Sequence, residues 1–222
     1  MSKNWRISLV AVSVVIVLSA CTPTVTAPSP SPKPTETVEP SPSPSPSETR
    51  TAKPTLGEII ATPNGLADSL GPMLVTVTEP IVAGDPALAI VEWDDTVCDE
   101  TEAGPETGGW KPAYPLTSDG KYPFFTNMAA RATDSPVKWI SIQSEEIRTA
   151  EGLGMGSTVA ELEAEYGADL VEGTSFDYTS HTLKGTEGQL VFWSQLDGIV
   201  LTLDVLAASE PVEFYYTTTP CA

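Results

Sequence analysis

Six carboxylates crowd one short stretch of the chain, at Asp94, Asp95, Asp99, Glu100, Glu102 and Glu106, and the chemistry open to such a cluster is cation binding. Calcium takes six to eight oxygens in irregular geometry, but the spacing departs from that of an EF-hand loop. The plainer expectation is an acidic, solvated insertion running from Asp94 to Gly120, so no metal and no cofactor is assigned. Directly after the acids come Gly108-Gly109-Trp110-Lys111-Pro112-Ala113-Tyr114-Pro115. Trp110 and Tyr114 are expected as an aromatic edge for a glycan or a protein partner, since such rings are enriched at interfaces. The competing expectation folds both rings back as a lid on a sheet, because aromatics usually bury their large area.

Catalytic patterns are thin. His181 is the single histidine of the chain and sits among Thr179, Ser180 and Thr182, where a solvated loop histidine is expected. A hydrolase triad would need that histidine beside a serine on a strained turn, and no Gly-x-Ser-x-Gly elbow occurs. The glycines of Gly154-Met155-Gly156-Ser157-Thr158 lack the lysine of a phosphate loop and lead into an acid-rich segment that would repel phosphates. A glycosidase needs only two carboxylates, which composition supplies in plenty. The reading is nevertheless a protein without catalytic residues.

The N-terminus carries chemistry of another kind. Lys3 and Arg6 precede an apolar run from Ile7 to Val17, which ends in Leu18-Ser19-Ala20-Cys21. The run has the length of a signal-peptide core and falls short of the roughly 20 apolar residues of a membrane span. These residues resemble the lipobox of bacterial lipoproteins, and the resemblance implies cleavage before Cys21 and a diacylglycerol on its thiol. From Thr22 to Thr55 ten residues are proline, and most of the rest are Ser, Thr, Ala, Glu or Lys. Such a segment cannot build a core. In polyproline II geometry, at about 3.1 Å per residue, it reaches on the order of 100 Å and permits O-linked sugar. A lipobox followed by a Pro/Ser/Thr stalk resembles the surface lipoproteins of high-GC Gram-positive bacteria. The domains expected are therefore a signal peptide over 1–20, a lipidated cysteine and disordered stalk over 21–55, and a globular extracellular domain over 56–222.

With Cys21 given to lipid by that resemblance, Cys98 and Cys221 remain as a pair in an oxidising compartment. A disulfide between them would close a long loop and stabilise by roughly 4 to 5 kcal/mol in the chain-entropy account. Two cysteines without histidine neighbours do not make a zinc site. From Leu56 onward, 27 acidic residues stand against 6 basic ones. A surface so negative repels phosphate backbones and anionic lipid heads, which excludes nucleic acid and leaves the acyl chains to hold the membrane.

The elements that must position these residues are mostly strands. Ala87–Trp93 and Val137–Ile142 read as strands, and Gln189–Val205 reads as a hairpin turning at Asp197-Gly198 in a type I′ turn. Leu196 then faces Ile199, Ser194 faces Leu201, Phe192 faces Leu203 and Leu190 faces Val205 on a core side. Gln195, Trp193, Val191, Val200, Thr202 and Asp204 lie on a half-wet side. One helix is expected over Val159–Tyr166, with Thr158 and Glu161 at capping-box spacing and Gly167 at the C-cap. Its stripe Val159, Leu162, Tyr166 faces inward.

The chain also echoes itself. Thr62-Pro63-Asn64-Gly65-Leu66 and Thr149-Ala150-Glu151-Gly152-Leu153 agree at Thr, Gly and Leu, and each precedes a strand ending Val-x-Trp. This is read as a degenerate duplication. The segment Thr149 to Val205 resembles the helix-plus-β-meander repeat of β-lactamase-inhibitor proteins and of small outer-membrane assembly lipoproteins. The resemblance implies protein binding or scaffolding without catalysis; no contact residue carries over. The expected fold is thus α+β, β-rich, an antiparallel sheet with one short helix and two degenerate repeat units. The expected role is a lipid-anchored, extracytoplasmic protein-interaction or envelope-scaffold module on the cell membrane, using its sheet face. The alternative is a solute- or glycan-binding lipoprotein centred on Trp110 and Tyr114.

Overall fold

The computed structural model describes residues 52–97, 108–128, 130 and 132–214. Cys21, Cys98 and Cys221 lie outside the described residues, as do the signal segment, the stalk up to residue 51 and the acids from Asp99 to Glu106.

Strands dominate the described chain. A three-stranded meander is formed by β1 (Ile59–Thr62), β2 (Gly65–Asp68) and β3 (Met73–Thr76), and a ribbon by β4 (Val91–Asp94) and β5 (Gly109–Pro112). Six strands make the main sheet: β6 (Phe124–Met128), β7 (Val137–Ile142), β8 (Val171–Ser175), β9 (Tyr178–Lys184), β10 (Gly188–Ser194) and β11 (Val200–Ala207). Their order is β6-β7-β11-β10-β9-β8, and every pairing is antiparallel. Among the described residues one α-helix occurs, α1 (Val159–Tyr166). The fold is β-rich with antiparallel sheets and a single short helix.

Local chemistry accounts for α1. The Thr158 hydroxyl accepts from the Glu161 amide at 3.2 Å, the Glu161 carboxylate accepts from the Thr158 amide at 2.8 Å, and Gly167 leaves the helix at φ 49°. Eight residues are too few to stand alone in water. Docking supplies the rest: Leu162 is fully buried, and the segment entering the helix bonds along the start of β11 through Gly156 N to Val200 O and Val159 N to Gly198 O, both 2.8 Å.

The hairpin of β10 and β11 pairs Leu190 with Val205 and Phe192 with Leu203, as the apolar pattern demands. Its turn differs from the expected one. Gly198 has φ 71° while Asp197 stays at negative φ, and the Gly198 amide donates to the Gln195 carbonyl at 2.9 Å. A turn ending in a left-handed glycine takes up an extra residue, and a bulge follows. Ser194 consequently pairs with Val200, which is buried, and Leu201, expected in the core, is turned out to 36 % exposure. Ala87–Trp93 also departs from a continuous strand. Asp85 accepts from the Ala87 amide at 2.8 Å, Pro86 starts a 3-10 turn over Pro86–Ala89, and the strand begins only at Val91.

Apolar clusters cover both faces of the sheet centre. Leu190, Phe192, Leu203 and Val205 join Ile59, Leu66, Val75 and Leu162 in the larger core. The opposite face, expected half-wet, buries Phe125, Trp139, Val191, Trp193 and Leu206 beneath Tyr178, Val212 and Phe214. The returning C-terminal segment supplies that cover. Gln189 donates to the Glu210 carbonyl at 2.9 Å, and the Phe214 amide donates to the Ser175 hydroxyl at 3.0 Å.

Close approach of the meander to β10 selects glycine at Gly188. A methyl group there would sit 2.5 Å from the Pro63 carbonyl oxygen and 2.7 Å from that of Leu206, both backbone atoms that cannot yield cheaply.

Candidate interaction site

With both faces of the central strands covered, the two most exposed large apolar side chains among the described residues, Phe176 and Leu196, stand at the ends of two hairpins, while Leu70, Val82, Leu88, Leu116 and Val171 are only about half exposed elsewhere. Between the paired residues Ser175 and Tyr178 the β8–β9 turn holds only Phe176 and Asp177. Phe176 has φ 54°, a left-handed conformation that glycine adopts freely and a bulky aromatic rarely does. Its side chain is 88 % exposed, so no packing of the ring compensates the backbone. Strain of this kind concentrates where a residue is used rather than where it supports the fold.

The β10–β11 turn lies at the same end of the sheet. Leu196 at its apex is fully exposed, and the Asp197 carboxylate accepts from the Ile199 amide at 3.1 Å. The two tips line one groove of about 690 Å³, walled by Phe176, Asp177, Tyr178, Gln195, Leu196 and Asp197. Two carboxylates and no basic residue face it, on a chain of net charge −19. The groove floor is tied to the second core, since Tyr178 stacks on Phe214 at 3.7 Å and Phe214 meets the edge of Trp193 at 5.1 Å.

That core contains an ionisable group. Asp204 lies opposite Val191 and Ser141 on its neighbouring strands and is 3 % exposed. Trp193 Nε1 donates to its Oδ2 at 2.7 Å. Burial pushes the carboxyl up to about 6, against the pull of hydrogen bonds from Trp139, Ser141 and Trp193.

The residues read from sequence as an exposed aromatic edge are held inside. Trp110 on β5 is 6 % exposed and packs edge-on against Trp93 at 5.4 Å, its cross-strand partner. Tyr114 is half-buried, meets Phe124 at 6.3 Å and donates its hydroxyl to the Pro54 carbonyl at 2.6 Å, with the Lys53 ammonium over its ring. Both rings act as the lid, because pairing of β4 with β5 turns Trp110 onto the core. Of the acidic insertion, Asp94 bonds Lys111 Nζ at 2.6 Å and the Thr96 hydroxyl at 2.7 Å, which hold its carboxyl well below the usual range. Asp95 accepts from the Trp93 indole. Among the described residues no group of three or more His, Cys, Asp or Glu could hold a metal ion.

His181 is not a loop histidine. It lies on β9 opposite Phe192, 4 % exposed, with Nε2 3.1 Å from the Ser194 hydroxyl. Burial lowers its pKa, opposed by the charges of Glu172 and Glu163. Ser194 is itself 1 % exposed, at the bulge of β10, so its hydroxyl is closed off from solvent. The pair's physical role is to satisfy two polar groups inside the sheet.

Phe176 and Leu196 escaped the sequence reading because an apolar residue in a strand-rich stretch reads as core. The available signal was their position: each directly precedes an aspartate at a hairpin turn, as Phe176-Asp177 and Leu196-Asp197. The chain matches no protein-family model, no curated protein and no solved structure.

Proposed function

We propose that this protein is a non-catalytic protein-interaction module. It is held at the extracytoplasmic face of the cell membrane by lipid on Cys21, and it engages an envelope protein through its paired hairpin tips. The single observation that carries the reading is the exposure of Phe176 and Leu196 on two adjacent turns lining one groove. Large apolar side chains displayed together mark an interaction surface rather than chance exposure. Asp177 and Asp197 beside them select a partner face that combines an apolar pocket with lysine or arginine, and they disfavour nucleic acid or an anionic lipid surface. The Pro-rich stalk read over 21–55, of which Lys53 and Pro54 already pack on Tyr114, would carry the tips outward, and a Cys98–Cys221 disulfide would tie the C-terminal segment that backs the groove.

The test is capture from solubilised cell envelope by the full chain, set beside the variant carrying Phe176→Ser and Leu196→Ser. A protein retained by the wild type and lost by the folded variant is the expected result. Equal capture by both chains overturns the assignment, and selective binding on a glycan array would replace the protein partner by a sugar.

A further inference from the structure

A second cavity lies away from the hairpin tips, where the two Thr-Gly-Leu turns meet the main sheet. It measures about 440 Å³, within the range that small-molecule sites occupy. Ile60, Ala61, Leu183 and Leu190 form an apolar lining, with half-exposed Val171 at its edge. The rim is polar and its members come from separate places in the chain: Thr62 from β1, Thr149 and Glu151 from the second turn, Tyr166 from the end of α1 and Asp169 from the 3-10 turn after it, and Lys184 from β9.

One hydrogen-bonded chain orders this rim. The Tyr166 hydroxyl donates to Glu151 Oε2 at 2.8 Å and lies 3.0 Å from Thr149 Oγ1, whose hydroxyl in turn accepts from the Leu153 amide at 3.2 Å. Burial pushes Tyr166 up to about 12, so its hydroxyl keeps its proton and remains a donor. Burial also works to raise Glu151, but hydrogen bonds from Tyr166, its own backbone and Thr149 outweigh it, and the carboxyl stays below its usual value as an anion. The carboxylate therefore stands fixed and charged among the lining of an apolar pocket.

The sign of the ligand follows from three contributions. Glu151 and Asp169 outnumber Lys184 on the rim. The C-terminal end of α1 carries the negative end of the helix dipole, Tyr166 at that end lines the cavity, and no basic residue occupies its last turn to neutralise it. The aromatic side chain of Tyr166 also lines the cavity, and such a ring attracts cations. An anion or a phosphate meets repulsion from all three, whereas a neutral solute gains only the apolar lining.

We propose that this cavity is a binding site for a small organic cation of the alkylammonium class, its charged head between Glu151, Asp169 and the Tyr166 ring and its apolar body on Ile60, Leu183 and Leu190. The site is separate from the hairpin groove and shares no lining residue with it.

The probe is choline, titrated by saturation-transfer NMR against the full chain in nonionic detergent, with empty micelles as the blank. Its neutral isostere 3,3-dimethylbutan-1-ol replaces the nitrogen by carbon at almost constant shape, and 3,3-dimethylbutanoate reverses the charge. Saturable choline binding is expected, with the isostere at least about 10-fold weaker and the anion without effect. Glu151→Gln should weaken choline at least about 5-fold. Asp169→Asn, on an exposed turn outside the Tyr166 hydrogen-bond chain, should weaken it about 2- to 3-fold with the melting temperature unchanged. Equal affinity for choline and its isostere overturns the proposal, as does an absence of saturable choline binding, or affinity untouched by both variants. Tighter binding of glucose or N-acetylglucosamine than of choline would make the cavity a sugar site instead.

Discussion

Trp193 on β10 donates its indole proton to the Asp204 carboxylate on β11 at 2.7 Å, inside a cluster of aromatic and aliphatic side chains that excludes water. An acid in that position prefers its neutral form. The folded-state value near 6, against an ordinary 3.8, means that the native chain binds a proton more tightly than the unfolded one between those limits. Stability from this group is fully present below the unfolded value and is lost as pH rises through about 6, by roughly 3 kcal/mol in all. Asp204→Asn should flatten that fall between pH 4 and 6. His181 acts with the opposite sign: its lowered value makes stability decline as pH drops below about 6.5. Urea midpoints taken at half-unit pH steps on wild type and Asp204→Asn check this, and superimposable slopes would remove the buried acid from the account.

Hairpin packing makes a second prediction. Phe192 opposite Leu203 is fully buried, and Phe192→Ala should cost about 3 to 5 kcal/mol through the cavity it leaves. Thr202 is only half-buried, and its hydroxyl donates to the Ile142 carbonyl at 2.9 Å. Thr202→Ala should cost about 1 kcal/mol. Chemical denaturation of both variants measures the difference, and similar losses would contradict the assignment of faces.

At the tip of the β8–β9 turn, strain and function are separable by one substitution. Phe176→Gly removes a residue at φ 54° whose side chain contacts mostly solvent. Thermal unfolding should show stability unchanged or raised by up to about 1 kcal/mol, the relief of left-handed strain offset by the greater freedom of glycine in the unfolded chain. Capture of the envelope partner should fall at the same time. A variant that is markedly less stable would mean that Phe176 supports the fold.

Gly188→Ala tests the contact between the meander and the main sheet. The added methyl must displace the Pro63 and Leu206 carbonyls, and a loss of about 1 to 3 kcal/mol is expected. Val77 Cγ2 also stands 2.6 Å from the methyl position, so pairing this change with Val77→Ala should recover part of the loss. No recovery would show that the backbone clashes alone set the cost.

The cysteine assignments can be tested by direct chemistry. Metabolic labelling with a clickable fatty acid should mark the wild-type chain and not Cys21→Ala. Thiol titration of the unreduced, unfolded mature chain should then find none free if Cys98 and Cys221 are joined. Two free thiols would end the disulfide assignment.

What sequence by itself determined is what neighbouring residues decide among themselves. The ends of α1 were legible because Thr158, Glu161 and Gly167 satisfy the helix termini within a few residues of chain, and the pairing of Phe192 with Leu203 followed from a turn placed at Asp197-Gly198, a register that holds up to Trp193 and shifts by one residue at the bulge. Both are short-range outcomes with one low-energy solution. Tertiary structure decided which faces meet water. Val191, Trp193 and Asp204 looked half-wet because the segment that covers them, around Val212 and Phe214, returns from elsewhere in the chain. Trp110 was open to two readings, exposed edge or lid, until β4 paired with β5 and turned it inward, and His181 looked solvated until β9 placed it opposite Phe192. The groove at Phe176 and Leu196 and the cavity beside Tyr166 each join residues from separate segments. Burial is a property of the completed packing, set by partners distant in sequence, and so neither site could be read from composition or periodicity.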